Sequence, residues 1–185
     1  MRLDHIAYRV SDRKKTSQFF IEAFGYQVQQ EFDIDFPDGT KAQCIALEPP
    51  EKINQELPWT IFSDLFIEEA VINCATYHLA PEIFVSDGPE GSIIGDWVKA
   101  RGGIGGIHHI AYQVEDVRQT MKTWVDRGWA EFTTKDILTC PEDELDQIFT
   151  KPNPLTGVIY EFIKRGSKGF CNKNVERLMT STKGL

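Results

Sequence analysis

A chain of 185 residues, 41% hydrophobic and 26% charged, is long enough for one domain or for two half-domains sharing a core. Its formal charge of −8 would repel phosphate backbones, which argues against general nucleic-acid binding. No apolar run approaches a secretory signal or a membrane span, so a cytoplasmic location without membrane partners is expected. Cys44, Cys74, Cys140 and Cys171 are scattered, with no C-x-x-C pair, and read as buried small hydrophobes or bystanders.

The first element, "LDHIAYRVSD" (3–12), is short, apolar and β-prone, and so reads as a strand. A helix follows, with Thr16, Phe19, Phe20 and Ala23 at helical spacing and Gly25 near its end. Segments 27–34, 42–50 and 81–88 supply three further strands, the last two separated by "LPWTIFSDLFIEEAVINCA". "GGIGG" (102–106) then precedes "IHHIAYQVED" (107–116). Six of ten positions of that phrase are identical to 3–12 at an offset of 104. Again a helix follows, with Val117, Met121, Trp124 and Val125 at helical spacing and Gly128 near its end. Segment 130–138 reads as the next strand. "AQCIALEPP" (42–50) pairs with "DQIFTKPNP" (146–154) at the same offset, and "PEIFVSDG" (81–88) with "YEFIKRGS" (160–167) at 79. The drop from 104 to 79 requires a 25-residue insertion in the first copy. Corresponding elements in one order make a duplicated module.

The expected fold class is α+β: two tandem βαβββ modules forming a curved mixed sheet around a central metal cavity. The first module runs over 1–101 with its insertion at about 50–75, and the second over 102–168. A C-terminal segment, 169–185, completes one structural domain. "GGIGG" precedes a strand rather than opening a helix, so it is a hinge and not a dinucleotide fingerprint.

Residues two apart on a strand share a face. His5, Ala7 and Arg9 therefore oppose Ile6, Tyr8 and Val10, and His109, Ala111 and Gln113 oppose Ile110, Tyr112 and Val114. The bulkier sets suit packing under the helices, and the histidine-bearing sets suit a cavity wall. Glu82 and Glu161 sit among apolar neighbours, where a carboxylate needs a cation or strong hydrogen bonds. Two imidazoles and one or two carboxylates make a divalent-metal site, so His5, His109, Glu161 and Glu82 are the candidate ligands. Gln43 and Gln147, on third strands, are candidate substrate-binding amides or side chains satisfying a sheet edge. His108 alternates to the strand face opposite His109 and reads as packing or as support of the site; nothing in the spacing singles out His78. The basic C-terminal run, Lys164, Arg165, Lys168, Lys173, Arg177 and Lys183, reads as a solvated tail or as a handle for an anionic substrate.

A histidine-bearing strand, a helix and three strands ending in glutamate, written twice, resembles the vicinal oxygen chelate (glyoxalase/bleomycin resistance/dioxygenase) superfamily. The second half is similar to the catalytic domain of the 4-hydroxyphenylpyruvate dioxygenase family. The matching stretches are "DWVKARGGIGGIHHIAYQVEDV" (96–117), "QIFTKP" (147–152), "YEFIKR" (160–165) and "GFCNKNVERLM" (169–179). The resemblance implies a C-terminal helix covering the site, iron ligands His5, His109 and Glu161, and Gln147 facing the substrate. That family carries an additional N-terminal domain, missing here. "SIIGDWVKARGGIGGIHHIAYQV" also resembles the segment in methylmalonyl-CoA epimerases.

Three readings follow. In the first, Fe(II) on His5, His109 and Glu161 keeps positions open for O2 and a small 2-oxo acid or similar bidentate ligand. In the second, Glu82 completes four ligands around Co, Ni, Zn, Mn or Mg. The ion then stabilises an enediolate while Glu161 or a neighbouring acid moves a proton, as in an epimerase or glyoxalase. In the third, the chain binds a small molecule without turnover. The insertion's Trp59, Phe62 and Phe66 could form a lid, a dimer contact or a plain surface elaboration, and paired modules of this kind often form homodimers.

Overall fold

The computed structural model describes residues 1–49, 81–166 and 170–185. The expected insertion with Trp59, Phe62 and Phe66 lies outside the described residues, as do Cys74, His78 and Lys168. Eight strands form one curled mixed sheet, a half-barrel. They are β1 (Arg2–Val10), β2 (Gln27–Asp35), β3 (Lys41–Glu48), β4 (Glu82–Asp87), β5 (Gly105–Gln113), β6 (Leu138–Cys140), β7 (Leu145–Phe149) and β8 (Ile159–Lys164). Their spatial order is β2-β3-β4-β1-β5-β8-β7-β6. β1 and β5 pair antiparallel at the centre, and each pairs in parallel with the last strand of its own half. The duplication is thus a pseudo-two-fold axis between β1 and β5.

The helices begin and end where local chemistry dictates. Asp12 caps α1 (Arg13–Phe24) by accepting from the Lys15 amide, and Asp116 caps α3 (Val117–Asp126) by accepting from the Gln119 amide. Gly25 ends α1 in the left-handed region, φ 75°, with its N–H on the Ile21 carbonyl. α1 turns Arg13 and Ser17 inward, with Phe20 and Ile21 partly buried, while Phe19 and Ala23 are exposed. The face expected from Thr16, Phe19, Phe20 and Ala23 is rotated because Arg13 is anchored: its amide donates to Asp87 and its guanidinium to Gln43. On α3, Val117, Met121 and Trp124 pack inward and Val125 is exposed.

Two further differences from the module pattern have local causes. α2 (Ile93–Ala100), which the pattern lacked, stands between β4 and the glycine link; Ser92 caps it, and Ile93, Ile94, Trp97 and Val98 form its buried stripe. The strand expected over 130–138 is confined to β6, preceded by the lone bridge Phe132–Thr150. The glycine link is dictated sterically at Gly105, φ 88°, where an added Cβ would lie 2.0 Å from the Arg9 carbonyl oxygen.

On the convex face α1 covers Val10, Ile45, Leu47, Ile83 and Val85, and α3 covers Val114, Ile148 and Phe162. Ile148 and Phe162 are completely buried, each contributing roughly 1.5–3 kcal/mol. On the concave face, α4 (Asn172–Ser181) lays Val175 and Met179 against Ala7, Cys44 and Phe84. A disulfide joins Cys140 at the end of β6 to Cys171, the N-cap of α4. This corrects the reading of Cys140 and Cys171 as small hydrophobes or bystanders, whereas Cys44 is a free, buried thiol whose pKa burial raises.

Candidate metal centre

β1 and β5 are each bulged at the phrase they share. Between the pairs Leu3–Tyr112 and Ile6–Ile110, β1 holds one extra residue; between Ala7–His109 and Tyr8–Ile107, β5 holds one extra residue, His108. A bulge breaks strict alternation and turns neighbouring side chains toward one side. Asp4 and His5 in one half, and His108 and His109 in the other, therefore lie together. His108 lines the concave cavity beside His109, which corrects its placement on the opposite face. The residue before each cavity histidine meets that histidine's Nδ1. His5 Nδ1 donates to Asp4 Oδ1 (2.7 Å), and the Nδ1 atoms of His109 and His108 lie 2.8 Å apart. Both imidazoles consequently present Nε2 to the cavity.

Glu161, on β8, meets those two nitrogens. His5 Nε2 and His109 Nε2 are 3.2 Å apart, and Glu161 Oε2 is 3.3 Å from the first and 3.1 Å from the second. Donors at right angles around one cation, with bonds of about 2.1–2.2 Å, stand about 3.0–3.1 Å apart. The triangle has that size, and its donors are those a divalent cation takes, so the residues present fit a metal. All three are buried.

Burial opposes charge on every member of this cluster. Against it, the Glu161 charge and the Asp4 hydrogen bond hold His5 up to about 9. His109, where burial wins, is pushed down to about 4. Burial would raise Glu161, but His5 and His109 hold its carboxyl well below the usual range. Burial, with Arg9 and His109 nearby, keeps His108 neutral.

The remaining candidates separate. Gln147 is buried on β7 and its Nε2 donates to Glu161 Oε1 (2.7 Å), which leaves Oε2 aimed at the histidines. Glu82 does not join the cluster: its Oε2 accepts from Arg165 Nη2 (2.8 Å). Strand register explains why. Glu161 stands opposite Ala111, the residue two after His109, whereas Glu82 stands opposite His5 itself. The counterpart of Glu161 is Phe84, opposite Ala7. Gln43 also lies away from the cavity, accepting from Arg13 Nη1 (2.7 Å). Glu161 faces Phe149 and Phe84 faces Ala46 across the third strands, so the counterpart of Gln147 is Cys44.

Arg165 is neither solvated tail nor substrate handle. Its Nε and Nη2 donate to Asp4 Oδ1 at 3.0 and 2.6 Å. A chain Glu82–Arg165–Asp4 thus sets the His5 ring. Lys164, Lys173 and Arg177 are exposed, and exposed Lys183 lies 3.7 Å from Asp38. The only sequence signal for Asp4 is that it directly precedes a candidate ligand, and the basic run that contains Arg165 gives no sign of its pairing with Asp4.

A cavity lies in front of the triad. Phe84, Phe149 and Phe170 wall it, and Val175, Leu178 and Met179 of α4 close it. Arg9 lines its far end and is 2% exposed.

A family profile described as Glyoxalase/Bleomycin resistance protein/Dioxygenase superfamily matches residues 4–139. No curated protein matches the chain significantly. Among solved structures, a mutant of 4-hydroxymandelate synthase from Streptomyces coelicolor superposes with a TM-score of 0.71 at 19% identity, over 98% of this chain and 53% of that one. The present chain thus spans about half of that enzyme's length. Methylmalonyl-CoA epimerase from Mycobacterium tuberculosis gives 0.60 at 17% identity, over 89% and 88%. A hypothetical protein from Bacillus halodurans gives 0.59 at 20%, over 92% and 98%. At such identities the likeness establishes the fold. Among the described residues, no helix is long and apolar enough to cross a membrane.

Proposed function

The chain belongs to the glyoxalase/bleomycin resistance protein/dioxygenase superfamily, whose members are mostly metal-dependent enzymes, and we propose that it is a metal-dependent enzyme of the dioxygenase type acting on a small 2-oxo acid. The observation that carries this reading is the donor count. His5, His109 and Glu161 converge, while Phe84 stands where the pseudo-two-fold axis would put a fourth ligand. Two histidines and one carboxylate with open positions are the donor set of non-haem Fe(II) oxygenases.

Held there by His5, His109 and Glu161, Fe(II) would supply Lewis acidity toward a bidentate oxygen ligand and redox chemistry toward O2. The chain's own residues do the rest. Gln147 fixes one carboxylate oxygen of Glu161 and so aims the other. Asp4, held by Arg165, fixes the tautomer in which His5 ligates through Nε2. Phe84, Phe149 and Phe170, with the inner face of α4, exclude water and receive an apolar substrate body.

A Lewis-acid isomerase is the second reading, favoured by the near whole-length match to methylmalonyl-CoA epimerase. It would work with three ligands here, since Glu82 is engaged by Arg165. Anaerobic metal analysis followed by oxygen-uptake assays with 2-oxo acids separates the two. Stoichiometric iron and substrate-dependent uptake are expected. Cobalt, nickel or zinc with no uptake would replace the dioxygenase by the isomerase.

A further inference from the structure

The cavity has a second polar end. Arg9 lies four residues from His5 on the same face of β1, about 13 Å along the strand, and is 2% exposed. Its Nη2 donates to Thr182 Oγ1 (2.9 Å), while Thr182 Oγ1 itself donates to the Met179 carbonyl (2.8 Å). Its Nη1 is buried without a partner. No Asp or Glu among the described residues forms an ion pair with it, and the charge acting most on it is another cation, Arg101. Both guanidiniums lie against the Trp97 ring, at 5.8 Å and 3.7 Å from its centroid.

A buried guanidinium with a free donor and no counter-ion is costly, because burying an unpaired charge forfeits its hydration. Burial and Arg101 push Arg9 down to about 9, which still leaves it charged at neutral pH. A second free nitrogen, His108 Nε2, belongs to the same cavity wall. When His109 ligates through Nε2, its Nδ1 proton is donated to His108 Nδ1, which puts the His108 proton on Nε2. That makes His108 a second unused donor. The counterpart of Arg9 in the other half is neutral Gln113, so the duplication does not account for the charge.

We propose that Arg9 is the specificity-determining residue of an anion subsite, and that the substrate is a 2-oxo acid carrying a second carboxylate at its far end. The proposal rests on the chelating role assigned above to the triad. The oxo-acid end sits at His5, His109 and Glu161, an apolar body lies between the phenylalanines, and the distal carboxylate takes the free Nη1 of Arg9. Because Thr182 follows α4 directly and holds the same guanidinium, the distal anion also fixes the end of the helix that closes the cavity.

The test compares 2-oxoadipate with 2-oxohexanoate, which differ only in a terminal carboxylate against a methyl group. Binding is measured calorimetrically, without oxygen, to the full chain loaded with Mn(II) and to the metal-free chain. Wild type is expected to prefer the diacid by about tenfold or more, the range of one charge-assisted hydrogen bond. Arg9→Met should remove that preference and leave monoacid affinity within about threefold, while Arg9→Lys, a point charge without the planar fork, should retain part of it. Equal affinities in wild type, or a preference that survives Arg9→Met, would overturn the subsite; the wild-type comparison decides even if a variant does not fold. Monoacid binding indifferent to Mn(II) would instead sink the chelating role, and a diacid preference that persists without metal and still needs Arg9 would leave the anion subsite standing alone.

Discussion

The two halves of the molecule share a scaffold and differ at three positions that matter. Each contributes a bulged strand, a histidine presenting Nε2 and a preceding residue that holds Nδ1. Only the second half adds a carboxylate, Glu161, and an amide to aim it, Gln147. The first half offers Phe84 and Cys44 at those places and adds Arg9 where the second has Gln113. Duplication thus preserved the architecture and one histidine per half, while the second half alone places a carboxylate and its amide partner beside them.

The largest effect should come from breaking the half that holds the carboxylate. Glu161→Ala or His109→Ala removes one of three donors, and Mn(II) affinity measured by chelator competition should fall roughly a thousandfold. Phe84→Ala, the same operation in the other half, should change metal affinity little. Next comes the staple that, among the described residues, joins the second half to α4. Cys140 and Cys171 are 31 residues apart, and a bridge closing such a loop stabilises by about 3–4 kcal/mol in the chain-entropy account. Urea unfolding of Cys171→Ser should show a loss of that order; unchanged stability, with or without reductant, would mean that α4 needs no tether.

A smaller effect separates the two residues behind the histidines. Asp4 is a charged acceptor fixed by Arg165, and its pKa, which burial would raise, is held low by the His5 hydrogen bond and by Arg165. His108 is neutral. Asp4→Ala should therefore weaken Mn(II) binding by about 10–100-fold, and His108→Ala by less. Equal losses would show that ring orientation alone matters, and not the charge behind it.

Much of this arrangement was legible in the repeated phrase, because strand periodicity is a local signal. The convergence of His5, His109 and Glu161 follows from two such strands lying side by side. Register was not legible. Matching Glu82 to Glu161 by letter, across a change of offset, placed the first-half carboxylate two residues from the position that strand pairing assigns to Phe84. Matching Gln43 to Gln147 erred by one residue, enough to put Gln43 on the other face of the sheet. The bulge that brings His108 beside His109 is a property of two paired strands, which neither strand announces alone. The Cys140–Cys171 bridge likewise depends on where α4 docks.

The last prediction restores the symmetry that the protein lacks. Phe84→Glu places a carboxylate at the counterpart of Glu161. In the metal-free protein this buries an uncompensated acid, and the melting temperature should fall by an amount corresponding to roughly 1–3 kcal/mol. With Mn(II) the added donor should recover that loss and tighten metal binding by about tenfold. The same donor occupies a position that a bidentate ligand needs, so 2-oxo acid binding should weaken even as the metal is held more firmly. These two effects run in opposite directions, which a general disturbance of the cavity could not produce, since it would weaken both. Should the variant bind metal and 2-oxo acid as the wild type does, Phe84 would not face the cation, and the three-donor reading would lose its basis.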